Sequence, residues 1–433
     1  MLASSAALPL SPKSNASRLK IAVIGAGITG ATTAYALAKR GCEVTIFDRH
    51  PYAAMETSYA NGGQLSASNA EVWNSWGTVM KGLKWMFTPG APLLVNPAPS
   101  WHKLSWMAEF VAAIPKHEEN TVTTARLAIE ARAHLIRMAE DEGIDFDREE
   151  RGILHFYNTK KDFDAASATS KLLEKGGLER RAVTPSEIRA IEPALKGNFY
   201  GGFYTPSDFT GDIHKFTIGL MRACERRGVA SKLARDVRSV KAEAGGIVVT
   251  SVSTEPVADG PAPMAEVESF DKVIICGGVA SRALAHSLGD RLNVYPVKGY
   301  SITVSLPEKA DQEAAPWISL LDERTKLVSS RLGPTRMRVA GTAEFNGFNR
   351  NIRAERIDPL IAWCREHFPG MSTRQAIPWA GLRPMMPDML PRVQAGKNPR
   401  VLYNTGHGHL GWTLSAATAD SVAALATARS NWG

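Results

Sequence analysis

Residues 21–48 constrain this chain more than any other stretch. Ile21–Ile24 is a short apolar run of the kind that forms a strand buried on both faces. Gly25-Ala26-Gly27-Ile28-Thr29-Gly30 follows, then Ala31–Arg40 with helical composition and a stop at Gly41. A second run, Glu43–Phe47, ends in Asp48. Strand, glycine turn, helix, strand and acid, in that order, make a dinucleotide-binding βαβ unit. Gly25 permits the tight turn, Gly27 lets the backbone approach a pyrophosphate, and Gly30 lets the helix pack closely on the strand. Ile28 and Thr29 open a helix whose free N–H groups and partial positive charge suit phosphate. Asp48 stands eighteen positions past Gly30 and can accept both hydroxyls of a ribose, with Arg49 next to it. That carboxylate argues against a 2′-phosphate and so against NADP. It does not separate NAD from FAD.

At 433 residues the chain is too long for one small core and suits two interlocked domains. Its 44% hydrophobic and 22% charged residues are ordinary for a globular enzyme. The formal charge of +8 comes from no single basic run and is not interleaved with a nucleic-acid module, so no nucleic-acid partner is expected. Cys42, Cys224, Cys276 and Cys364 are scattered without metal-ligand or redox spacing. No metal and no disulfide framework are expected, and the cytoplasm is the default location. Residues 1–19 lack the basic start and apolar stretch of a secretory signal and read as a disordered leader. No apolar run is long enough to span a membrane.

Four further motifs lie far apart. They are Glu56-Thr57-Ser58-Tyr59-Ala60-Asn61-Gly62-Gly63, Tyr295-Pro296-Val297-Lys298-Gly299-Tyr300, Gly381-Leu382-Arg383-Pro384-Met385-Met386-Pro387-Asp388, and Asn404-Thr405-Gly406-His407-Gly408-His409-Leu410-Gly411-Trp412-Thr413. With the glycine turn, in this order, they resemble the bacterial D-amino acid dehydrogenase branch of the D-amino acid oxidase superfamily, from Lys20 to about Leu425. The resemblance implies an α/β fold, with a Rossmann-like FAD-binding domain assembled from separated stretches and an inserted β-rich (α+β) substrate domain. The expected division is 20–90, 208–292 and 378–433 for FAD, and 91–207 and 293–377 for substrate. The residues agree independently. Gly211–Arg227 reads as an amphipathic helix, and Asp271–Cys276 as a buried strand leading into Gly277-Gly278. Residues 293–345 show short β-rich runs, such as Lys326–Ser330 and Arg336–Ala340 around a Gly333-Pro334 turn. Thr184-Pro185-Ser186-Glu187 is a capping-box helix start.

The resemblance also assigns roles. Arg383 in Gly-Leu-Arg-Pro would hold the substrate carboxylate, which a planar guanidinium can fork with two hydrogen bonds. Ser58, Asn61, Gly62 and Gly63 would run along the pyrophosphate and over the flavin. Val237 would touch adenine through its backbone, and Gly277 and Gly278 would end a strand where the cofactor passes. Gly406, Gly408, Leu410, Gly411 and Thr413 would line the flavin, ahead of a helix from Leu414 to Leu425 whose N–H groups could stabilise negative charge on the reduced ring. Tyr300 could close over the substrate and Lys298 could tune the flavin potential, or both could serve only the strand that carries them. His407 and His409 stand open between catalysis and packing. Because Cys364, the last cysteine, falls outside the Gly381–Pro391 motif, the FAD is expected to be non-covalent.

The implied reaction is oxidative deamination of a D-amino acid to a 2-oxo acid and ammonia, with electrons passing to a quinone or another acceptor besides oxygen. Two alternatives remain: an amine or imino-acid oxidoreductase of the same superfamily, and a non-catalytic flavin-binding electron carrier. Five of the ten tryptophans, Trp73, Trp76, Trp85, Trp101 and Trp106, lie in 72–112 with Lys81, Lys84 and Lys103. That segment reads either as core packing under a long irregular stretch or as a surface meeting lipid or quinone at the inner face of the cytoplasmic membrane.

Overall fold

Glycine geometry fixes the first unit of the fold. The strand Lys20–Ile24, the helix Ile28–Lys39 and the strand Glu43–Phe47 form as the pattern requires. Gly25 has φ +107°, and a Cβ there would lie 2.6 Å from the carbonyl oxygen of Cys276. A Cβ on Gly30 would lie 1.7 Å from the carbonyl oxygen of Gly25, so the helix reaches the strand only with hydrogen at that position. The computed structural model describes residues 18–86, 88, 91–255 and 264–428. The leader read over 1–19 lies, up to residue 17, outside the described residues.

Two large sheets organise the rest. The first has six strands in the order Arg392–Ala395, Val401–Thr405, Lys272–Ile275, Lys20–Ile24, Glu43–Phe47 and Ala230–Lys232. All neighbours are parallel except the first pair. Helices Ile28–Lys39, Ile213–Arg226 and Gly411–Thr427 pack together through a core that includes Ala31, Ala34, Phe216, Ala416, Ala419 and Ala423, whose small side chains allow close helix approach. An antiparallel three-stranded sheet, Arg235–Glu243, Gly246–Ser253 and Glu266–Phe270, covers the other face through Val240, Val249 and Phe270.

The second large sheet has nine strands. Its central path runs Ala376–Met385, Tyr295–Ser305, Arg336–Phe345, Leu327–Arg331, Ser319–Asp322, Ile153–Tyr157, Gly201–Thr205 and Arg181–Val183, with Leu93–Val95 pairing Arg336–Phe345. The helix Ala354–His367 covers one face through Leu360, Trp363 and Cys364, packed on Tyr300, Ile302 and Val304. The capping box at Thr184–Glu187 is present, and Gly333 takes φ +67° in the turn between two paired strands. Ala376–Met385, which carries the Gly-Leu-Arg-Pro motif, pairs with Tyr295–Ser305 along its whole length and so belongs to this sheet.

Candidate active site

A continuous cavity of about 970 Å³ lies between the two sheets. One end meets the edge of the six-stranded sheet at Phe47, Asp48, Val237 and Leu284; the middle passes Gly27, Ser58 and Gly277; the far part is bounded by the nine-stranded sheet. Of the residues given a flavin or substrate role from sequence, Gly30 and Lys298 do not line it. Gly30 serves helix packing instead.

At the first end the chain presents a cradle for a dinucleotide. The amides of Thr29 and Gly30, at the start of the first helix, have no protein partner among the described residues, whereas the Ile28 N–H donates to Ser58 Oγ at 3.0 Å. Asp48 accepts the Ala26 N–H at 2.7 Å and the His50 N–H at 2.9 Å, which fixes its carboxylate while leaving lone pairs for a ligand. Burial raises its pKa, against the two backbone donors that lower it. Arg49 is exposed and pairs with Glu56, as do His50 (2.9 Å) and Arg350 (2.5 Å).

The segment 60–63 is laid along the cavity by the nine-stranded sheet. Ser301 Oγ donates to the Ala60 carbonyl at 2.8 Å, Arg338 Nη1 to the Asn61 carbonyl at 3.0 Å, and Ser330 Oγ to the Gly62 carbonyl at 2.6 Å. Gly63 has φ +73°, and a Cβ on Gly62 would lie 2.9 Å from Val328. Opposite, Gly406 (φ +77°) and Gly408 (φ +58°) turn the chain into the helix Gly411–Thr427, and Thr413 Oγ1 accepts the Ser66 N–H at 3.2 Å. A long, glycine-walled groove with free helix N–H groups and a fixed carboxylate suits FAD, and Gly25–Gly30, Asp48, Ser58–Gly63 and Gly406–Thr413 are the residues that would hold it. Cys276 also lines the cavity, but burial pushes its thiol up to about 12, so it stays protonated and unreactive.

Arg383 reaches into the far part of the cavity. Its Nη1 donates to the Thr342 carbonyl at 2.8 Å, and its Nη2 lies 3.4 Å from the Gly341 carbonyl. No carboxylate pairs with it among the described residues, and burial alone pulls its pKa down to about 10. It crosses Gly299, where a Cβ would sit 2.3 Å from Nη2, so that glycine makes the space for the guanidinium. Thr342, a β-branched residue at φ +60°, carries the carbonyl that holds Arg383, and its own hydroxyl is buried without a partner.

At Tyr300 and Lys298 the contacts match the strand role that the sequence left open beside a site role. Tyr300 is buried with its hydroxyl on Glu344 Oε2 at 2.8 Å, and its ring belongs to the cluster under the helix Ala354–His367. Lys298 is fully buried and donates to Asn349 Oδ1 at 2.9 Å and the Asn351 carbonyl at 3.1 Å, with Glu344 Oε1 at 3.3 Å. Alternation along the strand turns both side chains away from the face that Gly299 opens, so neither head group is free for substrate or flavin. The histidines also separate. His407 is buried, bonds Thr418 through Nε2 at 2.9 Å and is pulled down to about 3 by burial, and its Nδ1 has no partner among the described residues. His409 stacks on Trp73 at 4.7 Å, lies 3.4 Å from the Asn69 carbonyl through Nε2, and leaves Nδ1 without a partner. Burial and the nearby Arg383 charge pull it down to about 4.

Sequence reasoning missed Asp208, Arg132 and His155. Asp208 is buried and takes the N–H groups of Ala67 and Ser68 at 3.0 Å each and Arg132 Nη2 at 2.6 Å, fixing the wall of the cavity at 66–68. Burial raises its pKa, with Arg132 opposing. His155 Nε2 meets Ser68 Oγ at 3.0 Å. These residues come from segments without a motif, and the one signal lay in what Asp208 holds: Ala67 and Ser68 follow shortly after Gly62-Gly63.

The family model described as FAD dependent oxidoreductase (DAO) matches residues 20–425, nearly the whole chain. The chain belongs to the DAO family. D-amino acid dehydrogenase 3 of Mesorhizobium japonicum is 56% identical over 409 residues, covering 94% of this chain and 96% of that one. D-amino acid dehydrogenase of Paramagnetospirillum magneticum is 39% identical, covering 95% and 96%. Among solved structures, glycine oxidase from Geobacillus kaustophilus superimposes with a TM-score of 0.72 at 21% identity, over 96% of each chain. L-proline dehydrogenase from P. horikoshii gives 0.71 at 15%, covering 95% of this chain and 93% of that one. This DAO-family chain is therefore an FAD-dependent oxidoreductase with the family's fold.

Proposed function

We propose that the chain oxidises the Cα–N bond of a D-amino acid to an imine, which water hydrolyses to a 2-oxo acid and ammonia. The names of the curated relatives support the substrate class, and one observation carries the site: Arg383 is a guanidinium with no counter-ion among the described residues, held by backbone carbonyls inside the cavity. A substrate carboxylate supplies the missing charge, and the planar fork fixes the direction of the Cα–H. Bound FAD would supply the two-electron oxidant. His409, neutral at working pH, offers Nδ1 as a hydrogen-bonding atom to the substrate rather than as an acid. Gln64 lies in the cavity wall, its amide donating to the carbonyls of Leu320 (3.0 Å) and Ser329 (3.3 Å), so it is fixed as wall.

Replacing Arg383 tests this reading. Arg383→Lys keeps the charge but loses the fork and impairs turnover; Arg383→Ala impairs it more. FAD content and spectrum stay close to wild type in both. Steady-state kinetics with D-alanine, beside isopropylamine, which lacks the carboxylate, give a large loss for the first and a small one for the second. Equal losses, or loss of FAD, would make Arg383 structural.

The acceptor reading rests on the Trp-rich segment, which the fold divides. Trp106 is buried and donates Nε1 to the Met385 carbonyl at 2.9 Å, and Trp73 stacks on His409. Trp76 and Trp101 are 62% and 82% exposed, and Trp76, Met80 and Leu83 make an exposed apolar stripe on the helix Trp76–Trp85, flanked by Lys81 and Lys84. The same helix lines the cavity with Thr78, Lys81 and Trp85. No helix among the described residues is long and apolar enough to cross a membrane. This supports a peripheral contact with an anionic lipid surface that holds a quinone. Co-flotation with phosphatidylglycerol vesicles that is lost in Trp76→Ser/Met80→Ser/Leu83→Ser would bear it out; co-flotation unchanged by the triple substitution would refute it.

A further inference from the structure

The cavity does not stop at Arg383. It continues across the floor of the nine-stranded sheet, past Lys326 and Glu323, to a second end walled by His155, Tyr157, Thr169 and Arg180. Arg180 is 92% buried by its exposure of 8%. Its contacts are weak: Nη1 lies 3.3 Å from Ser170 Oγ, Nη2 lies 3.3 Å from Tyr157 Oη, and Nε has no partner. The guanidinium rests 4.8 Å over the ring of Phe203, and no carboxylate pairs with it among the described residues. The carboxylates that share this part of the wall have other partners. Glu323 is paired with Lys326, Asp162 accepts from Thr159 Oγ1 at 2.7 Å, and Glu71 faces His117 at 3.5 Å. A buried guanidinium with an unpartnered Nε and no carboxylate in contact among the described residues can take an anion that enters through the cavity.

We infer that Arg180 is the seat of a second carboxylate, so that the cavity is built to take a dicarboxylic amino acid with one carboxylate on Arg383 and the other on Arg180. This rests on the function proposed above. The spacing can be followed through the sheet. Arg383 lies on carbonyls of the strand Arg336–Phe345, and Tyr157 belongs to a strand three steps away, through Leu327–Arg331 and Ser319–Asp322. At about 4.8 Å per strand that is roughly 14 Å, of which each guanidinium–carboxylate contact occupies about 4 Å. About 6 Å then separates the two carboxylates, the reach of an extended five- or six-carbon dicarboxylate. Neutral His155, held low by burial and by the charges of Arg180 and Lys326, adds no competing charge. Tyr157 Oη and Thr169 Oγ1 supply further polar contacts at this end.

Calorimetric titration of the FAD-loaded protein with glutarate and with butyrate reads the second site without turnover. Glutarate binds at least tenfold more tightly to wild type; Arg180→Gln brings the two ligands level and leaves butyrate unchanged, and Arg180→Lys restores part of the difference. In kinetics, Arg180→Gln lowers kcat/KM for D-glutamate at least tenfold and leaves D-alanine unchanged. Equal glutarate and butyrate affinities in wild type overturn the inference without any variant having to fold. Equal losses on D-glutamate and D-alanine in Arg180→Gln also overturn it, because they mark a structural role. So does inorganic phosphate that binds wild type but not Arg180→Gln without competing with D-glutamate, since a free anion then fills the end. Glutarate preference that depends on Arg180, in a protein that oxidises no D-amino acid, would sink the proposed function and leave the dicarboxylate site standing.

Discussion

Gly299→Ala is a substitution of one methyl group whose effect can be worked out from the geometry. Gly299 lies in an extended strand, outside the left-handed region, so alanine meets no backbone strain. The new Cβ would lie 2.3 Å from Nη2 and 2.4 Å from Cζ of Arg383. Ordinary van der Waals contact needs about 3.5 Å, so the guanidinium has to move by about 1 Å. The obstructing atoms end a long side chain that can swing, so the fold absorbs the change with about 1 kcal/mol lost as the bonds to Gly341 and Thr342 weaken. Catalysis is less forgiving: a displacement of about 1 Å in a positioning group costs about 10²-fold, or about 2.7 kcal/mol of barrier. The variant should keep its FAD content, melt within a few degrees of wild type, and lose about two orders of magnitude in kcat/KM for D-alanine with little change for isopropylamine. A kcat/KM within threefold of wild type would show that the position of Arg383 does not matter to the reaction.

Other positions give sharper or milder outcomes. Gly30→Ala forces a methyl to 1.7 Å from the Gly25 carbonyl, where neither backbone can yield, and should give protein that is insoluble or free of FAD on purification. Asp48→Ala should weaken FAD by roughly 1–3 kcal/mol, measured as the Kd for reconstitution of apoprotein, while unchanged affinity would place the ribose partner elsewhere. Burial would raise Glu56, but Arg350, His50 and Arg49 outweigh it and hold the carboxyl down at about 2. A depressed folded pKa stabilises above the ordinary carboxyl range and is lost as pH falls through about 4.5 toward 2. Glu56→Gln should therefore be less stable than wild type at pH 7, by roughly 1–2 kcal/mol after allowance for solvent screening, and the two should converge in acid unfolding near pH 2. With His409 held near 4, the pH profile of kcat/KM should show no inflection near 6.5 that disappears in His409→Gln.

How much of this was legible depends on how local each constraint is. Gly25, Gly30 and Asp48 could be read because a turn, a close helix approach and a ribose acceptor each demand one residue type within thirty positions. Arg383 was reached through resemblance; nothing in Gly-Leu-Arg-Pro by itself says that the side chain crosses Gly299 to carbonyls of a third strand. Tyr300 and Lys298 stood open between strand and site because a motif gives residue identity but not strand face, and both side chains leave on the face opposite Gly299's opening. The tryptophans of 72–112 could not be divided by composition, since Trp76 lies on a helix with no buried residue and Trp106 on a separate one that packs on the nine-stranded sheet. Arg180 was invisible because Tyr157, Ser170 and Phe203 come together only through sheet pairing and a returning helix.

The bonds from Ser301, Ser330 and Arg338 to the carbonyls of residues 60–62 have a mechanical consequence. They sew the wall of the cofactor groove to the neighbouring sheet, and Thr57 adds a further stitch to the Leu382 carbonyl at 2.8 Å. Parting the two halves would break all four at once, leaving buried polar groups bare. Traffic to and from the groove therefore favours a doorway in its wall over a jaw between its sheets.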